Sequence, residues 1–138
     1  MAVDGLDDAT IRHVLKSVRR IALVGASDKP ERAANHVQAF LQQQGYEVTP
    51  INPRLAGRSL HGREVVGSLA HATPLDMVDI FRASENVPPV VDEAIRLGAK
   101  VIWMQLGVMH QDAAERARSA GITVVMDRCP LIETRRLA

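Results

Sequence analysis

Several features are scarce in this chain, and each scarcity excludes something. There is one cysteine, Cys129, among 138 residues. It cannot form an internal disulfide, and a single thiol fits a reducing compartment. Four aromatic residues are present, Phe40, Tyr46, Phe81 and Trp103, too few to build a base-stacking platform for single-stranded nucleic acid. Neither sign of charge dominates: 17 Lys plus Arg stand against 16 Asp plus Glu. That balance gives no electrostatic case for nucleic acid or an anionic membrane as partner. No apolar run approaches the roughly 18 residues that span a bilayer, and the acidic N-terminus lacks the apolar core of a signal peptide. The five histidines form no zinc-ligand spacing with the lone cysteine, so no metal is expected. These absences point to a cytoplasmic protein, whose length suits one domain over residues 1–138.

What is present is an alternation of short apolar runs and amphipathic segments. The spacing predicts an N-terminal helix within residues 1–20 (at 7–18), then a strand at 21–26. A helix at 33–44 follows, closed by Gly45, and a strand at 47–52 stopped by Pro53. Residues 55–73 are irregular, with glycines marking turns and a short helical turn at 68–70. A strand at 77–81, a helix at 87–97 capped by Ser84, a strand at 101–106, a helix at 111–120 and a strand at 122–126 complete the pattern. Residues 128–138 are read as a C-terminal tail. Strand–helix alternation with apolar strands predicts an α/β fold: a doubly wound, Rossmann-like parallel sheet of about five strands with helices on both faces.

On such a sheet, ligands sit beyond the carboxyl ends of the strands. The strands here end in Gly25-Ala26-Ser27, Asn52-Pro53, Phe81-Arg82-Ala83-Ser84, Gln105-Leu106-Gly107 and Asp127-Arg128-Cys129. The first cluster is the most informative. A glycine after a buried strand, just before a helix N-terminus, permits close approach of an anion to backbone N–H groups. The amides around Gly25 and Ser27 are therefore expected to cradle a diphosphate, with Lys29 and Arg32 adding charge-assisted contacts. The dinucleotide pattern G-x-G-x-x-G is missing: the run is Gly25-Ala26-Ser27-Asp28-Lys29-Pro30. Asn52-Pro53 stands where an acid would hold a ribose, which disfavours NAD or NADP. No Walker sequence is present.

The motifs Val24-Gly-Ala-Ser-Asp-Lys-Pro30, Gly45-Tyr46, Ile51-Asn-Pro53, Val78-Asp-Ile-Phe-Arg82, Trp103-Met-Gln-Leu-Gly107 and Val125-Met-Asp-Arg-Cys-Pro130 occur together in this order across most of the chain. In this the sequence resembles the CoA-binding domain family, small bacterial proteins similar to the N-terminal domain of the succinyl-CoA synthetase α subunit. The resemblance implies a Rossmann-type fold and coenzyme A or an acyl-CoA as ligand. It implies that Pro53 and its neighbours line the adenine side, that Phe81, Arg82 and Ser84 flank the nucleotide or pantetheine arm, and that Gln105 and Gly107 border the pantetheine path. The full set of expected binding residues is Gly25, Ala26, Ser27, Lys29, Arg32, Asn52, Pro53, Phe81, Arg82, Ser84, Val87, Gln105, Gly107, Arg128 and Cys129. No catalytic residue is assigned, because the domain that carries the phosphorylated histidine of the ligases has no counterpart in these residues. Three rival readings stay open at this point. One is an NAD(P)-binding or redox-sensing module. The second is a CoA-thioester enzyme using Cys129, whose thiol stands beside Arg128. The third is a partner-binding subunit that borrowed the fold; whether the chain forms a homo-oligomer or has a protein partner is left open.

Overall fold

The computed structural model describes residues 2–138. Helix α1, Asp8–Ser17, starts where Asp7 accepts the Thr10 N–H at 2.9 Å, an N-cap that satisfies one of the unpaired donors of the first turn. Strand β1, Arg20–Val24, is followed by α2, Ala33–Gln43, and β2, Glu47–Ile51. Gly45 ends α2 at φ +97°. There the Tyr46 N–H reaches the Leu41 carbonyl and the Gly45 N–H reaches that of Gln42, each at 3.1 Å, the pattern of a Schellman stop. Then come β3, Ser59–Leu60, and β4, Arg63–Glu64, and later β5, Met77–Ile80, α3, Val87–Arg96, β6, Val101–Met104, α4, Gln111–Ser119, β7, Thr123–Val125, and α5, Pro130–Arg136.

Five strands form one parallel sheet in the order β2-β1-β5-β6-β7. The chain thus runs outward from β1 to one edge, returns, and builds towards the other, so that the direction of winding reverses between β1 and β5. Helices cover both faces. Val87, Val91 and Ala94 of α3 and Ala113, Ala114 and Ala117 of α4 pack on one side with Val78, Ile80, Ile102 and Met104. Ile11 and Val14 of α1 and Val37 and Leu41 of α2 pack on the other with Leu23, Met77 and Trp103. The expected α/β sheet of five parallel strands is the observed one.

Three local expectations need correction. Residues 55–73 contain a hairpin, β3–β4, whose two-residue turn His61-Gly62 has both φ angles positive, at 48° and 78°. That is the hairpin geometry normally signalled by Asn-Gly or Asp-Gly. Ser84 does not cap α3. It lies in a 3-10 turn, Ser84–Asn86, and its Oγ accepts the Met109 N–H at 3.0 Å. The segment read as a tail holds helix α5, with Pro130 in its first turn, where the missing N–H costs nothing.

Candidate functional site

The turn after β1 lies at the point where the winding reverses. Gly25 adopts φ +92°, and any side chain there would run into the Phe81 carbonyl oxygen at the end of β5. The two strand ends are therefore in direct contact. The N–H groups of Gly25 and Ala26 both point to the Ile51 carbonyl at 3.1 Å, so they are not the open donors expected of them. Open donors occur one step further on. Among the described residues, the N–H groups of Ser27, Asp28, Ala33 and Ala34 have no acceptor within the protein. Two side-chain amides tie down the carbonyls of the same turn: Asn35 Nδ2 donates to Ser27 O at 2.9 Å, and Asn52 Nδ2 donates to Ala26 O at 2.8 Å. With those carbonyls occupied, the turn offers chiefly positive dipole ends.

The start of α2 differs from the starts of α1 and α4. Asp7 caps α1, and His110 Nδ1 caps α4 by accepting from Ala113 N–H at 3.1 Å. At α2 the N-cap residue is Arg32, no side chain accepts from the first turn, and no acid stands in it. Uncapped N–H groups at the positive end of a helix dipole favour an anion.

These groups face a cleft of about 580 Å³, within the usual range for small-molecule sites. It runs from the end of β2 (Asn52, Arg54, Leu55) past β1 and α2 to the end of β6 (Gln105, Leu106, Val108). Lys29, Arg32, Arg54 and Arg82 line it, against one carboxylate, Asp28, which Arg58 pairs at 3.3 Å. Gln105 is 5% exposed and its side-chain Oε1 has no hydrogen-bond partner. Within the sheet, Asp79 of β5 is fully buried between Leu23 of β1 and Trp103 of β6, and neither carboxyl oxygen has a partner. Burial pushes its pKa well above the ordinary carboxylate range.

Gly25, Ala26, Ser27, Lys29, Arg32, Asn52, Phe81, Arg82 and Gln105 meet on the cleft wall. Six other expected site residues do not. Pro53 lies between the lining residues Asn52 and Arg54 without facing the cleft. Ser84 is engaged with Met109. Val87 is 0% exposed, locked in the core by α3. The Gly107 N–H is taken by Asp127 Oδ1 at 2.7 Å. Arg128 spends its guanidinium on the protein. It meets Asp4 at 2.8 and 3.0 Å, Glu133 at 2.6 Å and the Leu6 carbonyl at 3.0 Å. Cys129 is buried beside a separate cavity of about 330 Å³. Sequence reasoning passed over Arg54, Leu55 and Val108, which line the cleft. Arg54 carried a usable signal, a cation directly after the second strand end; the two aliphatic residues carried none.

The geometry has counterparts among known proteins. Residues 19–135 match the family model described as a CoA binding domain. The uncharacterized Bacillus subtilis protein YneT is 38% identical over 122 residues, which cover 88% of this chain and 89% of that protein. A hypothetical protein from Pyrococcus horikoshii superposes with a TM-score of 0.93 at 38% identity, covering 99% of this chain and 96% of that one. A Thermus thermophilus protein superposes with a TM-score of 0.91 at 36% identity, covering 96% and 100%. On the match of the family model to most of its length, the chain belongs to the CoA binding domain family.

Proposed function

We propose that the protein binds coenzyme A or an acyl-CoA in the cleft at the carboxyl ends of β1, β2, β5 and β6, as a binding protein without ligase chemistry of its own. One observation carries the reading. Four unpaired backbone N–H groups, at Ser27, Asp28, Ala33 and Ala34, open on a cleft lined by four cations. A diphosphate is the group that matches such a donor set, since it brings several acceptor oxygens and two charges to one place. Lys29 and Arg32 flank the donors on the α2 side and Arg82 approaches from β5. Arg54, at the β2 end, is placed for a further phosphate. CoA supplies that combination: a diphosphate in the middle, a nucleotide 3′-phosphate at one end and an uncharged arm at the other. When bound, it would supply a thiol or thioester, and the residues of this chain would hold and orient it.

Calorimetric titration tests the proposal. Wild-type protein is expected to bind CoA more tightly than NADH or NADPH. Ser27→Glu, which sets a carboxylate among the open N–H donors, is expected to weaken CoA by about a hundredfold or more, since a charge-assisted contact becomes a repulsion. A Ser27→Glu protein with wild-type CoA affinity, or a wild-type protein that prefers a nicotinamide dinucleotide, would refute it.

A further inference from the structure

Four large apolar side chains stand exposed among the described residues: Val3, Leu106, Met109 and Ile132. Three of them line one cavity of about 330 Å³, to which Val3 comes from the segment before α1, Leu106 from the end of β6 and Ile132 from α5. They are 46%, 58% and 47% exposed. Single exposed apolar residues are ordinary, but several gathered in one concavity mark a binding surface. The charged side chains on the same walls already have partners within the protein. Arg128 holds Asp4 and Glu133, Arg136 holds Asp8 and Glu133, and Asp127 accepts the Gly107 N–H. What the cavity leaves for a ligand is therefore its apolar side chains. It also adjoins the cleft, because Leu106 belongs to the wall of both.

We propose that this cavity is an acyl-chain site, which takes the hydrocarbon of a medium-chain acyl-CoA whose phosphates lie in the cleft. The proposal rests on the CoA reading above and selects acyl-CoA from its two ligands. The cations of the cleft all stand on one side of Leu106: Arg54 after β2, Lys29 and Arg32 after β1, and Arg82 after β5, with β6 next in the sheet. Beyond Leu106 come Val3 and Ile132. This change from available charge to apolar surface matches a molecule with phosphates at one terminus and a hydrocarbon at the other. Free CoA ends in a thiol and would leave Val3 and Ile132 uncovered. A methylene is close to a water in size, at about 30 Å³ each, so the cavity has room for a chain of about ten carbons. Each methylene that leaves water there adds to the affinity.

Calorimetry with CoA, acetyl-CoA, butyryl-CoA and hexanoyl-CoA tests the proposal on the wild type, Ile132→Asn and Val3→Asn. In the wild type each added pair of methylenes is expected to tighten binding about threefold to tenfold, the upper value corresponding to full burial. In each variant that gain is expected to shrink to about twofold or less, because a polar side chain replaces the apolar wall. Both positions are about half exposed, so the variants are expected to fold, and the wild-type series is decisive without them. Equal wild-type affinity from CoA to hexanoyl-CoA overturns the acyl site while leaving the CoA reading intact. So does a chain-length gain that persists undiminished in both variants, which would place the hydrocarbon elsewhere. A dimer in sedimentation that both variants dissociate, together with a flat wild-type series, would overturn it by giving the cavity to a second copy of this chain. Wild-type protein that binds neither CoA nor any of its thioesters overturns both readings.

Discussion

Replacing Gly25 by alanine would drive a methyl group into the Phe81 carbonyl oxygen while holding an L-residue at φ +92°. Both effects act at one position, so the loss of stability is expected to be about 2–4 kcal/mol. Gly45 is the natural control. It sits at φ +97° with nothing within 4 Å of an added Cβ, so Gly45→Ala is expected to cost only the left-handed backbone term, about 1–2 kcal/mol. Urea denaturation of the two variants separates the terms; equal losses would show that the Phe81 contact contributes nothing. Gly25 thus sets how closely the β1 and β5 ends approach. Nothing in the run Gly25-Ala26-Ser27 indicates which of its amides stay open, because the acceptor that consumes the first two, the Ile51 carbonyl, lies on another strand.

Helix α5 shows how an element can be tied to distant sequence by charge. Arg128 precedes it, Glu133 lies within it, and Asp4 comes from before α1; together they form a buried group bridging both ends of the chain. Burial alone would raise the Asp4 pKa. The hydrogen bonds from Arg128, then from the Leu6 and Met126 N–H groups, outweigh burial and hold it below the ordinary value. Burial likewise opposes ionisation of Glu133, and its bonds to Arg136 and Arg128 prevail. A carboxylate with a lowered folded pKa stabilises the fold above its unfolded pKa, and that stabilisation is lost as pH falls through the folded value. Arg128→Met is expected to cost about 3–5 kcal/mol near neutral pH, since it leaves the buried Asp4 carboxylate without its counter-charge, while Glu133 keeps Arg136. It is also expected to flatten the loss of stability on acidification, measured by urea midpoints from about pH 7 to about pH 3. An undiminished acid slope would refute the role given to Arg128. This element also marks the limit of what the sequence displays. The strands and the long helices follow from runs such as Ile21 to Val24 and Val87 to Ala94, where local period and burial agree. Arg128 looked like a free cation at a strand end because its partners are Asp4, at the far end of the chain, and Glu133. Hairpin β3–β4 stayed hidden because His61-Gly62 lacks the usual turn signature. On the cleft, the small and charged residues of the β1 turn were legible, whereas Leu55 and Val108 read as any other aliphatic residue.

Across the whole molecule, the parallel sheet places its polar exceptions along one direction. With order β2-β1-β5-β6-β7, β1 and β5 are interior strands whose residues, Arg20 apart, are buried, and Leu23, Met77, Val78 and Ile80 are all at 0% exposure. Asp79 interrupts that layer two residues before the cleft residue Phe81. Its effect on stability is opposite in sign to that of Asp4. Because burial raises its pKa, the folded state retains a proton that the unfolded chain releases above about pH 4. Stability is therefore fully present below that value and declines as pH rises towards the folded pKa. Asp79→Leu removes both the titration and the two unpaired oxygens, and is expected to gain about 1–3 kcal/mol near pH 7. Asp79→Asn removes the titration alone, so it should flatten the same limb while keeping an unpaired polar group in the core. Measured against wild type between about pH 5 and about pH 8, the pair separates the two contributions. A wild-type slope retained in both variants would mean that Asp79 is not the group titrating. The expected pH profile of the molecule then combines carboxyls pulling in opposite directions. Asp4 and its arginine lose their hold in acid, and Asp79 beneath the site penalises the fold as the solution becomes basic.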